Sequence, residues 1–409
     1  MPELTCHTQL QTAPLRRDHP ARVAVKRPLP PLTTADDECV IYDETTIETL
    51  DRSSIWNLTG PQIAYLQGLI KNGPQRYIAN APHGAAQRLI VYRGCALPFT
   101  VVSQEERVFC VSPKTCWFDY PRLLYRNSAG RARAPVLNFL LGLARRLARF
   151  EKTVTLNNWW LTNNPTPAFS RAHIRAFTDR LTALYPEHLI VLKSLPETDP
   201  TGVLETVQAE GYTLVKFRFM HFREPTAKRT KAFRYDQKLL KTTALTTRYL
   251  DRVSGTQAEQ CAALYRKLYI GKHTDMNTAF NRHWMALTCN TGFLNFFVIE
   301  DADEIKGFVV SYPDANGINV GTCGYDLSIP QEVGLYRMIV GSTFRKGFDE
   351  GKCVNLSTSV PDFKRRRGCH RVIEYEAVYA DHLPFLTRAF LRVFAALYNS
   401  RTMDKMRCA

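Results

Sequence analysis

The stretch from Ile318 to Gly368, INVGTCGYDLSIPQEVGLYRMIVGSTFRKGFDEGKCVNLSTSVPDFKRRRG, constrains the fold most, because it reads as strand, turn, helix, strand and basic loop without interruption. Ile318 to Ser328 is short and apolar-rich with Gly321 and Gly324, which suits a buried strand that another backbone or a ligand approaches closely. Pro330 ends it. Gln331-Glu332-Val333-Gly334 leads into a helical run whose Leu335, Met338, Ile339, Ser342 and Thr343 share one face, and Gly351 closes that helix. A Gly-containing turn before a helix leaves N–H groups free for an anion. The second strand, Cys353 to Thr358, follows at once, so the two strands are expected to be parallel neighbours with a right-handed crossover and the site between them.

A chain of 409 residues is too long for one ordinary domain. The expected organisation is a flexible arm over 1–37, a first lobe over 38–225, a basic linker over 226–245 and a second lobe over 246–409. The arm is rich in proline and basic residues and has no apolar period. No apolar run approaches the ~20 residues of a membrane span, and the N-terminus lacks the apolar core of a secretory signal, so a soluble, cytoplasmic protein is expected. The eleven cysteines show no CxxC or Cys/His spacing, which argues against zinc and for reduced, mostly buried thiols. A formal charge of +16 implies attraction to polyanions such as CoA phosphates, acyl-carrier protein, nucleic acid or anionic surfaces, or else only a soluble surface.

In chain order, Ala64–Ile70 reads as helix, Arg88–Arg93 and Pro98–Val102 as strands around Gly94, and Ala134–Phe150 as a helix with a basic stripe of Arg145, Arg146 and Arg149. Thr153–Leu161 reads as a strand ending in Trp159 and Trp160, which fill a core or line an acyl pocket. A helix over Ser170–Tyr185, strands over His188–Ser194 and Thr213–Phe222, and a helix over Val203–Glu210 repeat the strand-helix-strand order. Arg223–Lys241 is basic and polar, either a connector or a phosphate-facing strip. Gly255–Gly271 reads as helix, Phe293–Ile299, Ile305–Tyr312 and Ile318–Ser328 as an antiparallel meander, Val372–Tyr379 as strand and Leu383–Tyr398 as an amphipathic helix.

The central arrangement resembles the acyl-CoA-binding core of the GNAT acyltransferases, whose phosphate loop Gln331 and Gly334 match, while Tyr336 stands where the family has a small residue. With Leu268-Tyr269-Ile270-Gly271-Lys272-His273, Tyr325-Asp326-Leu327-Ser328 and the run from Leu356 to Gly368, it is similar to the FemAB-related, two-lobed, acetyltransferase-6-like branch. The resemblance implies an α+β fold of two tandem GNAT-like lobes, each a mixed sheet flanked by helices. It also implies an N-acyltransferase that moves an acyl group from acyl-CoA to an amine of a small molecule, amino acid or peptide. Two alternatives are a Fem-type enzyme with an aminoacyl-tRNA donor, although an inserted helical-hairpin arm is not evident, and a non-catalytic basic protein that binds nucleic acid.

Acyl transfer to an amine needs a place for the donor, a base for the amine and an acid for the leaving group. Splayed strands near Tyr325 and Ser328 would offer unpaired backbone groups to a pantetheine arm. The donor-binding candidates are Ser328, Gln331, Gly334, Asn355, Lys364 and Arg366, with Lys364, Arg365, Arg366 and Arg367 as a cationic clamp. Asp326 or Glu374 would polarise the amine, unless each is bound in a salt bridge to the Lys364–Arg367 segment. A base at Asp326 requires a raised pKa. Tyr325 and Tyr379 are candidate acids and His273 a candidate base or helix cap. Cys353, Cys369 and His370 form no evident nucleophile pair, since neighbours on an extended chain point to opposite faces.

Overall fold

Hairpins build both ends of a single sheet. In the computed structural model, residues 38–104, 107–119 and 150–400 are described; the 1–37 arm and the expected helix over Ala134–Phe150, apart from Phe150 itself, lie outside the described residues. The strands of the first half are β1 (Val40–Tyr42), β2 (Ala86–Tyr92), β3 (Cys95–Val102), β4 (Thr153–Leu156), β5 (Leu189–Pro196) and β6 (Thr213–Arg223). Those of the second are β7 (Thr246–Leu250), β8 (Asn295–Asp301), β9 (Glu304–Asp314), β10 (Gly317–Tyr325), β11 (Val354–Asn355) and β12 (His370–Tyr379). They join in the order β1-β2-β3-β4-β5-β12-β6-β11-β10-β9-β8-β7. The last strand of each half therefore crosses into the other: β12 pairs with β5, β6 pairs with β11, and β6 and β12 pair with each other.

The fold is thus α+β, a mixed 12-stranded sheet flanked by helices, and the two halves repeat one plan. Each carries a parallel pair bridged by a helix: β4 and β5 by α2 (Arg171–Leu184), β10 and β11 by α7 (Leu335–Asp349). The remaining helices are α1 (Gly60–Asn72), α3 (Val203–Ala209), α4 (Lys231–Thr242), α5 (Gly255–Tyr265), α6 (Arg282–Asn290), α8 (Pro361–Arg365) and α9 (Phe385–Tyr398). Local chemistry sets their starts. The Thr59 hydroxyl accepts from Gln62 N ahead of α1, and the Ser254 hydroxyl accepts from Gln257 N ahead of α5.

Several boundaries differ from expectation for local reasons. The strand expected to run to Leu161 ends at Leu156, because Asn157 and Trp160 turn into the left-handed region at φ 59° and 52°. Trp159 and Trp160 are fully buried, with indole N–H groups donating to Asn157 Oδ1 and Gln87 Oε1 at 2.8 Å, so they fill the core. The helix expected to reach Gly271 is α-helical only to Tyr265 and continues as a π-helical turn over Arg266–His273.

The stretch expected as a basic linker contains α4, which packs against α7. Its Asp236 is fully buried and accepts from Arg337 Nε of α7 at 2.8 Å and from Arg367 Nη2 at 3.1 Å. Two guanidinium groups on one buried carboxylate tie this segment into the second half.

Candidate active site

The β10 and β11 pair is closed at one end and open at the other. Ile318 lies beside Val354 and Asn319 beside Asn355, and the pairing stops there. At the closed end the Cys353 carbonyl accepts from Ile318 N at 2.8 Å, and it stands 2.2 Å from where a Cβ on Gly317 would be, so only glycine fits that approach. Beyond Asn319, β10 follows β9 with a bulge between Val320 and Thr322, while the chain after Asn355 follows β6 through Leu356 N to His221 O. The edge of β10 from Val320 to Tyr325 therefore has no strand partner on the β11 side. The second strand was expected to reach Thr358; it stops at Asn355 because Ser357 adopts φ 61° and Val360 φ 49°. A β-branched residue in that region is strained, and strain of this kind collects at functional sites.

A lysine sits in the gap. Lys364 is 1% exposed, and its Nζ donates to Leu356 O at 2.7 Å and Ser357 O at 3.1 Å. Burial pulls this ammonium down to about 7, with the Cys369 and Cys323 thiols opposing and Arg218 adding to the shift. Neutral Lys364 would spend two N–H groups on those carbonyls and keep a lone pair; protonated, it would present a third N–H at the same place. His221, beside it, is pushed down to about 4 by burial and by Lys364, and so is neutral near pH 7.

A residue from the first half holds the gap open. Asn163 Nδ2 donates to Val320 O at 2.6 Å, the first β10 carbonyl beyond the last β10–β11 pair. Asn163 Oδ1 accepts from Arg218 Nη2 at 2.9 Å and from Ser357 Oγ at 3.2 Å. Its carbonyl accepts from Tyr312 OH at 2.7 Å. Arg218 is in turn paired with Glu374, directly across β6 and β12. Asn355 Nδ2 donates to Asn319 Oδ1 at 2.9 Å, and Asn355 Oδ1 accepts from Ser357 N at 2.9 Å. The buried amide, guanidinium and carboxylate thus form a connected polar node along the gap.

The predicted residues divide accordingly. Lys364, Asn355 and Tyr325 border the gap, whereas the others serve different ends. Glu374 is 4% exposed and ion-paired with Arg218 rather than with the basic run. The four-residue clamp splits: Lys364 and Arg367 point inward, Arg367 onto Asp236, while Arg365 and Arg366 are exposed. Asp326 accepts from Ser328 N at 2.9 Å and Ser328 Oγ at 2.6 Å, and those bonds lower its pKa instead of raising it. Ser328 is thereby a turn partner of Asp326 at the surface. His273 is exposed at the end of the π-helical turn, its ring 5.9 Å from Tyr269, and burial of part of the ring lowers its pKa. Tyr379 lies in the first half's core region against Tyr212. Asn163 and Arg218 escaped sequence reasoning; the Asn157–Asn164 run, with asparagine pairs on either side of Trp159 and Trp160, was the available signal.

The expected phosphate turn, Gln331 to Gly334, has part of its donor set occupied. Gly334 N donates to Gln331 O at 3.1 Å and Val333 N to Pro330 O at 3.1 Å, so two of its N–H groups are already used. Gly334 is itself buried at φ 79°, with a Leu239 methyl of α4 2.7 Å from where a Cβ would stand. Gln331 is exposed, and Glu332 adds an anion to the turn. Tyr336, two residues past Gly334, touches aromatic rings on both sides of the gap. Its ring lies 5.8 Å from that of Tyr325 at the end of β10 and 5.0 Å from that of Phe363 in α8.

No family model and no curated protein matches the chain by sequence. Among solved structures it is similar to FemX at 8% identity and a TM-score of 0.47, over 85% of this chain and 97% of that one. It is similar to a conserved protein of unknown function from Bacteroides thetaiotaomicron at 10% identity and a TM-score of 0.46, over 83% and 98%. The C-terminal domain of a putative lysylphosphatidylglycerol synthetase from Agrobacterium fabrum matches at 12% identity and a TM-score of 0.40, over 56% and 77%. With TM-scores below 0.5, these likenesses assign neither a family nor an activity. No helix among the described residues is long and apolar enough to cross a membrane.

Proposed function

We propose that the chain is an acyl or aminoacyl transferase that forms an amide on an amine acceptor, with the β10/β11 gap as its reaction centre and Lys364 as its proton carrier. The observation that carries this reading is the Lys364 Nζ, buried at the open end of a parallel pair and bonded, among the described residues, to two backbone carbonyls. A buried lysine without a carboxylate partner titrates near neutrality, where it can both accept and donate a proton. In the reaction the acceptor nitrogen attacks the acyl carbon of an activated ester or thioester, the carbon–nitrogen bond forms, and the bond to the leaving oxygen or sulfur breaks. Neutral Lys364 takes the proton lost by the amine and returns it to the leaving group, so the lysine ends as it began. While protonated, its third N–H also faces the developing oxyanion.

Exposed Arg365 and Arg366 beside the gap favour a polyanionic donor, with tRNA or an acyl-carrier protein as the classes to try first. A donor panel of aminoacyl-tRNA, acyl-carrier protein and CoA thioesters, tested against amine acceptors, identifies the activity. With a working donor, Lys364→Met should lower turnover by roughly 10²-fold or more. Undiminished turnover in a folded Lys364→Met variant removes Lys364 from the chemistry.

A further inference from the structure

We infer that Tyr336 is a specificity-determining residue that keeps a pantetheine arm out of the β10/β11 gap, so that a CoA thioester is not the donor. This rests on the gap being the reaction centre. An amide-rich pantetheine arm is held like an added strand, through main-chain groups of an unpaired edge. The edge here is Val320–Tyr325 of β10, and the Tyr336 ring lies over it. The same ring packs with both apolar clusters that flank the opening, one containing Cys323 and Ile339, the other Val354 and Leu356. Its far edge meets Phe363, and its hydroxyl reaches Ser359 beyond β11.

Tyr336 is thus anchored on both sides of the opening, and a thioester arm would have to displace the ring from all of these contacts at once. Asn163 obstructs the other approach. It binds Val320 O, while Tyr312, whose hydroxyl holds it, belongs to the cluster on the face opposite Cys323 and Ile339. In the turn before α7, the N–H groups at Val333 and Gly334 are used internally and Glu332 repels an anion, which leaves only the helix-start N–H groups from Leu335 to Arg337 for a phosphate.

The test is direct binding of CoA and acetyl-CoA by calorimetry, with wild type, Tyr336→Phe, Tyr336→Ala and Phe363→Ala, each checked by circular dichroism. Alanine suits the first turn of α7, so Tyr336→Ala should fold. Wild type and Tyr336→Phe should show no binding, and Tyr336→Ala or Phe363→Ala should bind at least about tenfold tighter. Wild-type binding as tight as that of the alanine variants overturns the inference, whatever the variants' folding. So does a folded alanine variant at either position with no gain. Neither outcome touches the Lys364 reading, which is decided by turnover with whichever donor works.

Discussion

In the first half, β4 and β5 stay paired from Thr153 beside Leu189 to Leu156 beside Leu192; in the second, β10 and β11 part after Asn319 and Asn355. Both units are a strand, a helix and a parallel strand, and both sit in one sheet. The first is sealed by apolar side chains over its paired length, with Leu189 to Leu192 all at most 1% exposed, and past Leu156 the Asn157 Nδ2 closes it by donating to Pro165 O at 2.9 Å and Lys193 O at 3.1 Å. The second ends in asparagines and serines that bond to backbone or to each other, and Asn163 occupies the place a continuing strand would take. Under the proposed function, the same topology is a structural joint in one half and a reaction centre in the other.

The halves also treat a buried lysine differently. Burial works against the charge of Lys193 in β5, but Cys116, Glu376 at 3.4 Å and Cys110 outweigh it and leave the pKa raised. Among the described residues Lys364 has no carboxylate partner, and its pKa is lowered to about 7. A buried lysine that keeps its charge is a strut, and one that exchanges its proton near neutrality is a reagent.

The largest effect expected from breaking this contrast is on stability in the first half. Glu376→Ala leaves Lys193 as an uncompensated buried charge and should cost about 3–5 kcal/mol in urea unfolding. A loss below about 1 kcal/mol would mean that Lys193 is not held charged by Glu376. Next comes the pH response of Lys364. Because the attacking step uses the neutral amine, kcat/KM should rise through a pKa near 7, and the residual activity of Lys364→Met should lack that rise.

Stability follows the same titration with a definite sign. The folded pKa lies below the ordinary 10.5, so between about 7 and 10.5 the unfolded chain holds the extra proton, and stability should increase with pH across that window. In Lys364→Met the increase should be absent, with stability at pH 6 no lower than wild type, since a costly buried cation has gone. A pH-independent wild type would contradict the neutral-lysine reading.

A smaller effect is expected at the wedge. Asn163→Ala leaves Val320 O and Arg218 short of a partner and should cost about 1–3 kcal/mol by thermal or chemical unfolding. An unchanged stability would show that the gap does not depend on the first half. The smallest belongs to Asp326, whose carboxylate serves only the local turn. Asp326→Asn should leave turnover within about twofold, whereas a loss on the general-base scale of roughly 10²-fold would restore Asp326 to the chemistry.

Most elements were legible because their causes are local. The hairpins around Gly94 and Gly317, the apolar face of α7 and the glycine that follows it are encoded within a few residues. Orientation inside the basic run was not legible. Lys364 on the short α8 and Arg367 in the turn just past it turn inward together, whereas four consecutive cations suggest a solvated clamp. Periodicity over so few residues does not say which side meets the core.

The sequence alone determined that a strand-helix-strand unit would stand within Ile318–Thr358 and that its strands would be parallel, since a short helical connection permits little else. Only the tertiary structure decided that this pair would open, which residues would face the opening, and which lysine would lie in it. Asn163 comes from the loop after β4, Arg218 from β6 and Glu374 from β12, each far from Lys364 in the chain except the last. Their effect depends on burial and on hydrogen bonds that exist only once β6 and β12 have crossed between the halves. The charge state of a side chain follows from those surroundings, and no local pattern carries them.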